Sequence, residues 1–133
     1  ILMSQKKIGV VACSGEECQG GTLSRLAVRK IMEQERPGMT TTLCLPLFIA
    51  GDGGEREFAK NYPTIAVDGC SKCCAKRAIE KFSNTVSGSI DIENIIGSDK
   101  ALAAPLSTRS LSEDHHKMVD EVSTEILKIY DTL

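Results

Sequence analysis

Residues 64–82 read TIAVDGCSKCCAKRAIEKF, and their division into strand, turn and helix decides the fold. The first four residues follow Pro63, are apolar or β-branched, and stop at Asp68-Gly69. A short, turn-bounded run of this kind suits a strand covered on both faces. Beyond the turn, Ala75, Ala78, Ile79 and Phe82 recur at helical spacing and share one face.

The same grammar repeats upstream. Residues 7–13, KIGVVAC, form an apolar run that ends at Ser14-Gly15, and Leu23, Leu26, Ala27 and Ile31 then fall on one helical face until Arg36-Pro37-Gly38 closes the helix. Residues 40–45, TTTLCL, predict a second strand that stops at Pro46. Residues 50–54, AGDGG, read as a loop leading into a short helix over 55–60, and residues 89–92 fit a fourth strand. Residues 97–110 are compatible with loop or with a ragged short helix. The chain closes with an amphipathic helix whose apolar face is Val119, Val122, Ile126, Ile129, Tyr130 and Leu133, capped by Ser112 with Glu113 and Asp114 in its first turn.

Alternating strands and helices build a parallel sheet through right-handed crossovers. The expected fold is a three-layer α/β domain with a mostly parallel sheet of about four strands, flavodoxin-like or Rossmann-like. Strand order is not fixed by the pattern, but a flavodoxin-like order, with the first strand central, brings Cys13, Cys44 and Cys70 closest together. No repeat, low-complexity tract or linker divides the chain, so residues 3–133 read as one domain, long enough to bury a core. Ile1 and Leu2 precede Met3, which reads as an initiator, and are set aside as a remnant.

Composition narrows the chemistry. Six cysteines accompany 41% apolar residues, with no secretory h-region and no long apolar span. This combination points to a reducing, cytoplasmic compartment, where clustered cysteines bind metal or carry out redox work more often than they crosslink a fold. A net charge of -2, with two tyrosines, three phenylalanines and no tryptophan, supplies neither a basic stripe nor many stacking platforms. Neither nucleic acid nor a membrane is therefore expected as a partner; the expected partner is a metal ion.

Cys13, Cys44, Cys70 and Cys74 each stand at, or just past, the carboxyl end of a predicted strand, which is where ligands bind in parallel sheets. Cys70 leaves its strand through Asp68-Gly69, and Ser71 is a candidate cap for the following helix. A thiol at a helix N-terminus, with Lys72, Lys76 and Arg77 nearby, is favoured as thiolate, the form that binds zinc and attacks electrophiles. Cys70 pairs with Cys73 as C-x2-C or with Cys74 as C-x3-C. Helical phase turns Cys74 back over the sheet edge and Cys73 toward solvent.

Asp68-Gly69-Cys70, with Cys74 four residues on and Ala75-Lys76-Arg77 following, resembles the DGC-domain family, named after that triplet. Cys13-Ser14-Gly15, the Gly20-Gly21 pair and Cys44 look like the rest of its pattern, and the resemblance runs from about Ile8 to Phe82. It implies a compact bacterial or archaeal cytosolic protein in which four cysteines, here Cys13, Cys44, Cys70 and Cys74, chelate Zn²⁺, with no established reaction. Cys18 and Cys73 are additional to the pattern and read as incidental exposed thiols.

Four thiolates around Zn²⁺ leave no open position, so a structural, sensing or delivery role is expected ahead of hydrolysis. The alternative is thiol-disulfide redox or sulfur transfer by Cys70 with Cys73 or Cys74, since a strand, a C-x2-C and a helix form the thioredoxin-like arrangement. A cysteine phosphatase or arsenate reductase is not expected: the arginine needed six residues after Cys13 is Gln19. His115-His116 reads as a solvated pair, and residues 51–54 as a flexible connection and not a phosphate cradle, because Asp52 and Glu55 would repel the anion.

Overall fold

Strands β1 (Ile8–Ala12), β2 (Thr40–Thr41), β3 (Thr64–Asp68) and β4 (Gly88–Asp91) form one all-parallel sheet in the order β2-β1-β3-β4 in the computed structural model, which describes residues 7–133. Ile1, Leu2 and Met3 lie outside the described residues. The order is the flavodoxin-like one, with β1 between β2 and β3.

Alternation along the strands explains the apolar runs. Val10 on β1 and Ile65 and Val67 on β3 enter one core with Leu23, Ala27, Val122 and Ile126, whereas Val11 and Ala66 enter the opposite core with Phe58, Ala75 and Ile79. Side chains alternate with period two, so both sets are buried only when helices cover both faces. One face carries α1 (Gln19–Lys30) and α7 (Glu113–Tyr130); the other carries α3 (Phe58–Asn61) and α4 (Cys74–Phe82). The sheet with its two helical layers is a three-layer α/β domain.

The first helix ends as its sequence predicts, though a π-helical turn, Ile31–Glu35, carries it to Arg36, whose N–H donates to Ile31 O at 2.8 Å. The second strand is shorter than expected. It covers only Thr40–Thr41, and Cys44 instead precedes a helix, α2 (Leu45–Ala50), with Pro46 in its first turn. Proline stops a strand, but its fixed φ and missing N–H also suit a helix start. The carbonyls ending α2 are satisfied from outside: Arg56 Nε donates to Phe48 O and Nη2 to Ile49 O, each at 2.9 Å, while its guanidinium lies 3.9 Å from the Phe82 ring centre. Fully buried Phe48 meets Phe82 edge-on and ties α2 to α4.

The helix expected over 55–60 is a 3₁₀ turn, Glu55–Glu57, running into α3. The fourth strand ends one residue earlier than expected, and Ile92 begins α5 (Ile92–Ile96), which the pattern did not signal. A further turn, α6 (Ser98–Ala101), occupies the ambiguous stretch. In α7, Ser112 Oγ accepts from His115 N while His115 Nδ1 accepts from Ser112 N, a reciprocal cap, so His115 has a structural task. Val119, Val122, Ile126 and Tyr130 are buried as expected, whereas Leu133 lies beyond the helix and is exposed. Tyr130 OH donates to Met39 O at 3.0 Å and shares a 2.8 Å bond with Thr40 Oγ1, fastening α7 to the start of β2. No helix among the described residues is long and apolar enough to cross a membrane.

Candidate metal centre at the carboxyl edge of the sheet

The loop after β1 turns to α1 on one face, while the loop after the adjacent β3 turns to α4 on the other. Neighbouring loops that part in this way open a crevice at the carboxyl edge. Cys13 stands in it. Its N–H continues the ladder to Val67 O at 3.0 Å, and its Sγ accepts from Gly69 N at 3.3 Å and lies 3.5 Å from Ser24 Oγ. Ser24 Oγ also accepts from Ser14 N at 3.2 Å and donates to Gly21 O at 2.6 Å. Ser14 takes a left-handed φ of 52°, turning the chain sharply after the thiol.

Close backbone contact sets this geometry. A Cβ on Gly69 would fall inside contact distance of Gly21 N, Gly20 C and Gly20 O, and one on Gly21 would overlap Gly15. The glycine of the Asp68-Gly69-Cys70 triplet therefore lets the first turn of α1 lie directly on the loop that carries Cys70. That contact brings Gly69 N–H within reach of the Cys13 sulfur.

Beyond β3 the helix starts later than expected. Cys70, Ser71 and Lys72 form a turn closed by Cys73 N donating to Cys70 O at 3.1 Å, and α4 begins at Cys74. Ser71 is not its cap, and Cys70 is not at its N-terminus. The first-turn N–H groups are satisfied instead by the side chain of Asp68, whose Oδ1 accepts from Ala75 N at 2.7 Å and Oδ2 from Lys76 N at 3.2 Å. Asp68 is buried, which raises its carboxyl above the usual range, while the two N–H donors pull the other way. Cys73 occupies the N-cap in left-handed conformation, φ 51°, and is half-buried, whereas Cys74 is exposed in a shallow depression beside Arg77, Ala78 and Lys81. Helical phase predicted the reverse exposures; it fails because Cys73 lies outside the helix. Partial burial raises the Cys73 thiol, and the charges of Asp68 and Asp91 add to the effect. Glu93 on α5 holds the loop from outside: its carboxylate accepts from Ser71 N at 2.8 Å and Ser98 Oγ at 2.7 Å, and these bonds, Ser98 first, depress it below the usual range.

Cys44, at the N-cap of α2 past β2, is exposed and shares a cleft with Cys13. Cys18 is half-buried at the N-cap of α1, not freely exposed. Thus Cys13, Cys44 and Cys70 lie on loops that follow three adjacent strands, and Cys74 opens the helix beyond the third. The donors are soft thiols suited to zinc or copper(I). They do not form a closed cage: among the described residues no three His, Cys, Asp or Glu side chains are grouped closely enough to hold a metal. The hydrogen-bonding roles of Asp68 and Glu93 escaped the sequence reading, although an aspartate just before a glycine turn and a helix start is a recognisable capping signal.

Strand order, crevice and thiol-bearing loops define a doubly wound α/β domain with a cysteine-lined carboxyl edge. The DGC domain model matches residues 9–122, and the chain belongs to the DGC-domain family. No curated protein and no solved structure matches it.

Proposed function

We propose that the protein binds one Zn²⁺ through the thiolates of Cys13, Cys44, Cys70 and Cys74, in a sensing, delivery or structural role in a reducing cytoplasm, with the metal ion and neither nucleic acid nor membrane as its partner. The observation that supports this most is the placement of Cys13, Cys44 and Cys70 on loops after β1, β2 and β3, neighbours in the order β2-β1-β3. Membership of the DGC-domain family, with the Asp68-Gly69-Cys70 triplet intact, supports the fourth ligand at Cys74.

On this reading the loops close as the metal binds. Thiolate ligands must lose their protons and come together, so binding is coupled to local ordering and releases protons. Cys13 is already oriented by Gly69 N–H and Ser24, and the others are drawn toward it. Four sulfurs would saturate the ion and leave no place for a reacting water. The test is zinc retention after gel filtration: Cys70→Ser and Cys74→Ser should each lose the metal, and Cys73→Ser should keep it. Zinc retained by the Cys70→Ser/Cys74→Ser double variant would refute the assignment.

A second reading rests on the turn that joins Cys70 to Cys73. The dithiol would pass two electrons and two protons to a disulfide partner through a mixed disulfide, ending as a Cys70–Cys73 bond with the partner reduced to two thiols. The half-buried Cys73 would serve as the resolving thiol. Mass spectrometry after oxidation by an excess of oxidised glutathione should then show this bond, and recovery of both thiols free would exclude it.

A further inference from the structure

Between α1, α2 and the loops after β1 and β2 lies a cleft of about 730 Å³, whose apolar wall and arginines the metal reading leaves without a task. Its volume falls within the range of small-molecule sites, roughly 300–1,000 Å³. The walls are mostly apolar, built by Val28 from α1, Met32 from the π-helical turn, Leu43 from the loop after β2, and Ile49 from α2, which is 50% exposed. Only two lining residues carry charge, Arg25 and Arg29, and both are cationic. They lie one helical turn apart on α1 and share a face.

Each guanidinium is paired with an acid. Arg25 Nε meets Glu16 at 3.2 Å and Arg29 Nη2 meets Glu33 at 2.5 Å, and neither acid lines the cleft. A guanidinium has five N–H donors in a planar fork, so one carboxylate contact leaves donors over on each arginine. The cleft therefore combines an apolar interior with a pair of cations and no carboxylate in its lining.

We propose that this cleft binds a small organic anion, with an apolar body against Val28, Met32, Leu43 and Ile49 and a carboxylate-like head held by Arg25 and Arg29. Apolar contact supplies affinity and the arginine pair fixes the orientation and sign of charge. The proposal does not depend on metal binding. Cys13 and Cys44 also line the cleft, so a bound anion would lie beside two of the proposed metal ligands.

The probe is octanoate, with 1-octanol and octylammonium as neutral and cationic controls of equal chain length. Methyl chemical shifts of Val28, Met32 and Leu43 are followed in the metal-free protein and again after zinc addition, so that failure of the metal reading and failure of this one are separable. Octanoate should shift these methyls and bind about tenfold more tightly than octanol, as expected for charge-assisted hydrogen bonds. Arg25→Gln/Arg29→Gln should bring octanoate down to the affinity of octanol. The native methyl pattern should persist in the variant, because both arginine side chains are about half exposed. Equal binding of octanoate and octanol, an unaltered octanoate affinity in the double variant, or the absence of shifts at these methyls would each overturn the proposal.

Discussion

Replacing Gly69 by alanine probes the contact that sets the whole carboxyl edge. The added Cβ would meet three backbone atoms, Gly21 N, Gly20 C and Gly20 O, with no flexible side chain among them to give way. Overpacking of this kind costs about 1–3 kcal/mol, and rigid backbone on every side places Gly69→Ala at the upper end, about 3 kcal/mol. For 133 residues, with about 2.1 cal/mol/K of unfolding entropy per residue, each 1 kcal/mol shifts the midpoint by roughly 3–4 °C. Thermal unfolding followed by far-ultraviolet circular dichroism should therefore show a midpoint roughly 10 °C below the parent. Gly53→Ala is the control, since a Cβ there meets nothing within 4 Å, and it should melt within about 2 °C of the parent, as surface changes do. The first turn of α1 must retreat from the loop in Gly69→Ala, so the bond from Gly69 N–H to Cys13 Sγ should also be lost, visible as a changed alkylation rate of Cys13 in the metal-free protein. A Gly69→Ala protein that melts with the parent, or in which Cys13 reacts at the parent rate, would refute the reasoning.

Tyr130→Phe removes the hydroxyl that joins Met39 O and Thr40 Oγ1 in a buried corner. It should cost about 1–2 kcal/mol, measured by urea unfolding. Asp68→Ala removes both acceptors at the start of α4 and should cost about 2 kcal/mol, with faster amide exchange at Ala75 and Lys76 as the local sign. Glu93 has a depressed carboxyl, so its hold on Ser71 is fully present above its unfolded value near 4.5 and is lost as pH falls through the lower folded value. Ser71 amide exchange, corrected for its intrinsic pH dependence, should accelerate only below about pH 4.5 in the parent and should be fast at every pH in Glu93→Ala.

The sheet was legible because strands buried on both faces leave continuous apolar runs, as in IGVVA and TIAVD, and because turns with glycine follow them. The short second strand was not. Thr42 to Cys44 has the β-branched and apolar look of a strand, yet the ladder to β1 stops at Thr41. The chain turns instead into a helix that Pro46 allows and that Arg56, eight residues beyond Phe48, completes from outside. A carbonyl satisfied by so distant a side chain leaves no local pattern. The site divides in the same way. Placement of Cys13 and Cys70 on the loops after β1 and β3 follows from periodicity, whereas Cys44 was expected inside its strand and instead lies past Thr41, at the start of α2. The relation of Cys73 to Cys74 does not, because a left-handed residue at 73 shifts the helix start and voids the phase argument. The glycine contacts were visible as residues but not as contacts, since nothing in sequence spacing says that Gly20 will meet Gly69.

Metal content of the purified, untagged protein tests the zinc proposal most directly, measured by elemental analysis together with a thiol count before and after chelation. The account predicts about one zinc per chain and two thiols, Cys18 and Cys73, that react without chelation, with the remaining four reactive only when the metal is stripped. A protein that holds no metal when supplied with zinc, and whose six cysteines react alike with and without chelator, would contradict it.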